Sequence, residues 1–354
     1  MEEYLIAVRK EIDLVDDEIM KLLNRRMELS MRSRKLKGTI SDPGREEEVL
    51  MNVMKASRRL MSAEFSRKLY REIIEESKHI QEEPFKVIGF QGEHGAYSEV
   101  AALKHDPAMI PIPCLEFAEV FDDIEKKELD FGIVPVENSL EGAITPVIDL
   151  LLETDLKIVG EISLPVRHCL LTLPETNAYD IKIVASHPQA LAQCRNFIAK
   201  HRFQVHPTYD TAGAARELSE RRFPSAGVIA SELCAELYNL EIIKEDVADH
   251  ESNTTRFIIL ARDASPEPGN KCSVSFSTKH EAGTLFHILK IFSDAGINLT
   301  RIESRPVRDD SLQYAFLLDF EGNDQDEHVK VSMEQLCSMT VTFKFLGCYI
   351  GGSK

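Results

Sequence analysis

At 354 residues the chain exceeds what one ordinary hydrophobic core serves, so two or three domains are expected. Its 43% hydrophobic and 29% charged residues are those of a soluble globular protein, and a net charge of −17 argues against nucleic acid and anionic membranes as partners. No apolar run approaches the ~20 residues that span a bilayer, Met1-Glu2-Glu3-Tyr4 has no basic leader, and the seven cysteines form no CxxC pair, so a cytoplasmic protein with reduced thiols and no metal site is expected.

Residues 3–37 carry a helical period without proline: Leu5, Val8, Ile12, Val15, Ile19, Leu22 and Leu29 share one stripe. Ser41-Asp42-Pro43-Gly44 breaks this helix and restarts the chain. A second helix is predicted from about Arg45 to Arg58 and a third from about Ser62 to Gln81. Three helices in about 80 residues make a thin core, so oligomerisation is expected. Arg26 and Lys37 lie eleven residues apart and hence near one stripe, whereas Arg9 lies seventeen from Arg26, roughly 25 Å along a straight helix. Those two arginines cannot hold one small ligand together, which points Arg9 to a site on a partner protomer. Ser77 and Gln81, at i and i+4, share a face of the third helix.

Glu82-Glu83-Pro84 marks a first seam. Beyond it short apolar strands alternate with helices (Lys86–Phe90, Phe131–Val134, Ile181–Ser186, Ala226–Ala230 and Arg256–Leu260), an α/β signature. Glycine turns and small polar residues cluster at the strand ends, where α/β proteins gather ligand contacts: Gly92–Ser98, Val134–Gly142, Ser186-His187-Pro188-Gln189 with Gln193, Asp210–Gly213, and Asn253-Thr254-Thr255-Arg256-Phe257. Asp263–Gly269 has linker composition and forms the second seam. The remainder is predicted as strand 271–278, helix 284–295, strands 297–306 and 312–320, helix 325–338 and strand 340–348, a ferredoxin-like βαββαβ order.

The cations and donors of residues 4–81 resemble the site of the all-helical chorismate mutases, which are intertwined dimers. That resemblance implies that Arg26, with Arg9 from the other subunit, clamps substrate carboxylates. Lys37 and Gln81 would donate to the ether oxygen and Glu46 would accept from the ring hydroxyl, with Asp42, Arg45 and Ser77 completing the pocket. The rearrangement needs only binding of the compact conformer and charge stabilisation. The ordered motif set across 86–262 resembles prephenate dehydratase, a fold of two α/β lobes around a cleft like periplasmic binding proteins. It implies Thr255 as a positioned donor to the departing hydroxyl, with Glu137, Asn138, Ser186, His187 and Gln193 shaping the cleft and Arg256 as either a carboxylate contact or a structural anchor. Ser139-Leu140-Glu141-Gly142, shared with plant arogenate dehydratases, leaves arogenate beside prephenate as a substrate.

Gly283-Thr284-Leu285 and Asn298–Pro306 resemble the phenylalanine-binding motifs of the ACT module, with Ala282 and Thr284 departing from the family's usual proline and alanine. The resemblance implies that Gly283, Leu285, Asn298, Leu299, Glu303, Ser304, Arg305 and Pro306 hold the effector. The expected organisation is therefore a three-helix mutase domain (1–83), a two-lobed α/β dehydratase domain (86–262) and a ferredoxin-like ACT domain (271–354). The expected homo-oligomer acts on chorismate and prephenate, answers to L-phenylalanine and uses no cofactor. The competing reading is a phenylalanine-responsive protein with dead catalytic domains.

Overall fold

The proline-free stripe of the N-terminal segment folds as one long helix. In the computed structural model it is α1, Glu2–Leu36, about 52 Å long. Lys37 lies one residue past its end, with its N–H on the carbonyl of Arg34 at 3.3 Å, and so leaves the helical stripe on which its spacing placed it with Arg26. The structure describes residues 2–58, 60–250, 252–279, 281–306 and 313–352, with Glu3 and Gln313 described by backbone alone. The expected strand start at 312 and the expected domain ends at 1 and 354 lie outside the described residues.

Helix α2 is Pro43–Ala56 and starts two residues earlier than predicted, because Asp42 caps it and Pro43 supplies the fixed φ of a first turn. The Asp42 Oδ1 accepts from the Arg45 N–H at 3.0 Å. Helix α3, Ala63–Glu82, is capped by Ser62, whose hydroxyl accepts from the Phe65 N–H at 3.1 Å. Among the described residues of these three helices only Met31, Leu50 and Ile74 are buried apolar side chains. The stripe of Leu5, Ile12, Val15, Ile19, Leu22 and Leu29 stays about half exposed or more. No described helix is long and apolar enough to cross a membrane.

The chain divides into two units, Met1–Val87 with Lys127–Leu129, and Ile88–Lys126 with Asp130–Lys354. In the second, the chain first lays down β1 (Val87–Gln91), α4 (Tyr97–His105), β2 (Ile110–Cys114), α5 (Phe117–Glu125), β3 (Phe131–Asn138), β4 (Gly142–Ala143), α6 (Thr145–Glu153) and β5 (Lys157–Pro165). It then crosses into a second lobe of β6 (Cys169–Thr172), β7 (Ile183–Ser186), α7 (Pro188–Gln193), α8 (Arg195–His201), β8 (Gln204–Pro207), α9 (Thr211–Arg221), β9 (Ala226–Ala230), α10 (Leu233–Leu237) and β10 (Glu241–Lys244). Strand β11 (Thr254–Ala261) returns to the first lobe and inserts antiparallel between β3 and β5. The two sheets run β2-β1-β3-β11-β5 and β10-β6-β9-β7-β8. One core joins the lobes, packing Phe90 and Ala96 with Ala212, Cys234 and Tyr238. Gly95, at φ +92°, is needed there: a Cβ would come within 2.5 Å of Cys234 Sγ.

The C-terminal segment continues as β12 (Lys271–Lys279), α11 (Thr284–Asp294), β13 (Leu299–Pro306), β14 (Gln313–Glu321), α12 (Glu327–Met339) and β15 (Thr342–Tyr349). Its antiparallel sheet, ordered β13-β14-β12-β15, has the ferredoxin-like arrangement that the sequence predicts. Gly347 brings β15 against β5, where a Cβ would strike the Ile158 carbonyl.

Candidate active sites

On the helical unit, Arg26 reaches from α1 to the Ile73 carbonyl of α3 at 3.4 Å. Ile73, Ser77 and Gln81 stand four apart and share a face, so Arg26 lies over the row that ends in Ser77 and Gln81. Burial lowers the Arg26 pKa, opposed by Tyr70. Gln81 Nε2 donates to the Ser77 carbonyl at 2.9 Å, while its buried Oε1 finds no partner. Glu46, at the start of α2, accepts from Ser41 at 3.1 Å and from Lys78 at 3.3 Å. Lys78 was not singled out from the sequence, yet hydrogen bonds to Glu75 and Glu46 raise its pKa and hold it there as a cation. Asp42 serves as the α2 cap, and Arg45 pairs with Glu48 at 2.6 Å. Arg9 and Lys37 are exposed.

The second unit opens a cleft of about 280 Å³ between its lobes. Asn138, His187, Gln193 and Thr255 line it together. The β3–β11 register sets Thr255 beside Asn138, whose Nδ2 donates to Thr255 Oγ1 at 2.9 Å. His187 caps α7, its Nδ1 accepting from the Gln189 N–H at 3.3 Å. The neutral ring therefore carries its proton on Nε2.

Three expected residues are not brought into this cleft. Ser186 is fully buried and spends its hydroxyl on the Ile229 carbonyl at 2.6 Å. Arg256 follows Thr255 in a strand, so the pleat turns it to the opposite face. There it binds Glu161 at 2.9 Å and Asp319 of β14 at 2.7 Å, which makes it the structural anchor of the two readings. Burial alone would lower the Arg256 pKa, but Asp319 and Glu161 hold it above its ordinary value. Glu137 stands next to Asn138 and turns away likewise, to 3.7 Å from Arg256 and 3.8 Å from Arg301. Tyr97 and Asn253, which the sequence placed within motifs without a role, and His168, which it passed over, also line the cleft.

In the ferredoxin-like segment Gly283 takes the left-handed conformation, φ +89°, at the N-terminus of α11. Leu285 and Leu299 pack on the local core, and Gly283, Asn298, Ser304 and Pro306 are exposed. Arg301, Glu303 and Arg305 share the other, partly covered face of β13. Arg305 is not open to a ligand: its guanidinium grips Asp149 of α6 at 2.7 and 3.1 Å.

Residues 8–82 match the family model of chorismate mutase type II, 88–265 that of prephenate dehydratase and 273–337 that of the ACT domain. A bifunctional chorismate mutase/prephenate dehydratase of Aquifex aeolicus is 36% identical over 360 residues, covering 98% of each chain. Arogenate dehydratase/prephenate dehydratase 2 of Arabidopsis thaliana is 40% identical over 274 residues, 74% of this chain and 72% of that one. The solved prephenate dehydratase of Arthrobacter aurescens in complex with L-Phe aligns with a TM-score of 0.69 at 30% identity, over 75% of this chain and 89% of that one. The chain belongs to the bifunctional chorismate mutase/prephenate dehydratase family, an isomerase and a lyase followed by an ACT domain.

Proposed function

We propose that residues 1–83 rearrange chorismate to prephenate, that 86–262 convert prephenate to phenylpyruvate, and that 271–354 bind L-phenylalanine and inhibit the pathway flux. The pair formed by Asn138 and Thr255 carries the dehydratase reading. Because Asn138 Nδ2 donates to Thr255 Oγ1, the threonine's own hydrogen is free to point into the cleft. There it meets the ring hydroxyl, which leaves as CO2 departs and the ring becomes aromatic. Asn138 and Gln193 shape the pocket, and the Nε2–H of His187 is placed to receive a carboxylate. Prephenate is the substrate of choice over arogenate, because the mutase of the same chain supplies it.

In the mutase, Arg26 and Lys37 bind and stabilise the anionic substrate, and Glu46, held by Lys78, takes the ring hydroxyl. Gln81 Nε2 spends one hydrogen on the Ser77 carbonyl and offers its second N–H to the ether oxygen. Asp42, Arg45 and Ser77 position these groups. The exposed stripe of α1 is covered by a second copy, which brings Arg9 to the site. Lys37→Ala is expected to slow the mutase by about 10²–10³, the scale for losing one donor at a developing oxyanion. Near-normal turnover of chorismate by that variant would remove Lys37 from the site. Gly283, Leu285, Asn298, Leu299, Glu303, Ser304 and Pro306 form the effector site, with Arg305 bracing the motif from Asp149. The free thiols fit a cytoplasmic enzyme.

The test is one incubation of the purified chain with chorismate, with and without L-phenylalanine. Phenylpyruvate forms, and less forms with the effector. Accumulating prephenate would leave the mutase alone standing and call for arogenate as the next substrate. No turnover would favour a binding protein.

A further inference from the structure

The hydrogen-bond directions in the dehydratase cleft are determined from Asn138 as far as His168 Nε2. Two backbone donors, the N–H groups of Leu140 and Glu141, point at Asn138 Oδ1 at 3.0 and 3.1 Å. A backbone N–H can only donate, so that atom is the amide oxygen and the other end of Asn138 is the NH2 group. This NH2 donates to Thr255 Oγ1 and, at 2.7 Å, to Asn253, which must answer with Oδ1. Asn253 Nδ2 then faces Gln193 at 3.0 Å, which must answer with Oε1. That same Oε1 lies 2.8 Å from His168 Nε2, so Nε2 carries a proton. His168 Nδ1 is 2.8 Å from the Tyr97 hydroxyl, whose single hydrogen also faces the Arg167 carbonyl at 2.6 Å. His168 and Asn253 are almost wholly buried although both border the cleft.

We propose that His168 is a positioning residue of the dehydratase: its Nε2–H holds Gln193 by Oε1 and so fixes the side chain that Gln193, with Asn253, presents to the cleft beside Thr255. Burial lowers the pKa of His168, opposed by the hydrogen bond that its Nε2–H makes to Gln193. Without that donor Gln193 Oε1 keeps only Asn253 and the side chain loosens in the cleft, while Asn138 stays pinned by the Leu140 and Glu141 N–H groups. The inference rests on Thr255 being the donor to the leaving hydroxyl.

The experiment uses the full chain and measures steady-state kinetics on prephenate for His168→Leu, His168→Gln, Tyr97→Phe and Thr255→Val, with mutase rate and thermal melting as controls. His168→Leu is expected to lower kcat roughly 10- to 100-fold with little change in KM, the scale of a misplaced group away from the bond being broken. His168→Gln, which can present an N–H near the place of Nε2, recovers most of that loss. Tyr97→Phe loses a smaller part, because Nε2–H stays on Gln193 and only the contact at Nδ1 is removed. A His168→Leu protein with parental kcat overturns the inference. So does a folded His168→Gln protein as slow as the leucine variant, which would make the imidazole itself the acting group. If His168→Leu does not fold, the glutamine and phenylalanine variants decide by the same criteria. Thr255→Val at parental kcat would overturn the underlying assignment instead; a dead Thr255→Val beside a normal His168→Leu rejects only the positioning role.

Discussion

Thr255→Val is expected to reduce dehydratase kcat by about 10³ while leaving chorismate turnover at its parental value. The substitution keeps the branched shape of a buried strand residue and exchanges one hydroxyl for a methyl, so β11 retains its place between β3 and β5. What it removes is the hydrogen that Thr255 alone can offer to the leaving hydroxyl, and one such donor is worth about 10²–10⁴ in rate. Asn138 loses one of two acceptors but keeps Asn253, so the local fold holds. The candidate mutase residues belong to the other unit, and their rate serves as the internal control. Thr255→Ser, which restores a hydroxyl, should recover much of the lost rate. A valine variant that still makes phenylpyruvate at near-parental speed would transfer the donor role to another group in the cleft, with the His187 Nε2–H next in line. Loss of both activities together would instead report misfolding.

The sequence was legible where spacing encodes geometry. The helical stripe, the Asp42-Pro43 restart and the βαββαβ order are local patterns, and each reappears in the structure within a few residues. Gly283 at a positive φ before α11 is of the same kind. The resemblance places Glu137 beside Asn138 in the cleft and leaves Arg256 open between a carboxylate contact and an anchor. In a strand, neighbours face opposite ways, so Thr255 and Arg256, or Asn138 and Glu137, cannot both enter one cleft. That rule was available from the sequence and would have assigned Arg256 to the far face. Other facts were not available. Arg305 meets Asp149 across 156 residues of chain, and no local signal announces it. His168 stands alone in Pro165-Val166-Arg167-His168-Cys169, with no partner at a telling offset. Its meaning comes from Tyr97 and Gln193, which the crossover between the lobes carries to its two ring nitrogens.

Asp319→Ala is expected to cost about 3 kcal/mol in denaturant unfolding of the dehydratase–ACT unit, the lower end for breaking a buried ion pair from one side. Asp319 is almost fully buried and serves two donors, the Arg256 guanidinium at 2.7 Å and the Ser273 hydroxyl at 2.6 Å. Its removal leaves Ser273 with Tyr349 and leaves Arg256 with Glu161, so one nitrogen of a buried cation goes unpaired. The same change should reach catalysis. Arg256 is bonded to Thr255 through one peptide unit, and its two main partners come from different domains: Glu161 on β5 and Asp319 on the ferredoxin-like sheet. Anything that shifts β14 therefore pulls on the strand that carries the Thr255 hydroxyl. A double variant separates the two effects. Replacing both members with apolar side chains, Arg256→Met with Asp319→Leu, removes the unpaired charge and should restore much of the stability, because a buried pair often contributes little beyond its own desolvation. It cannot restore the mechanical link, so inhibition by phenylalanine should stay weakened in a protein that is again stable. Full inhibition in that stable double variant would show that the effector acts on the cleft by another route, with the Arg305–Asp149 pair between β13 and α6 and the Lys271–Glu161 pair among the remaining ionic bridges.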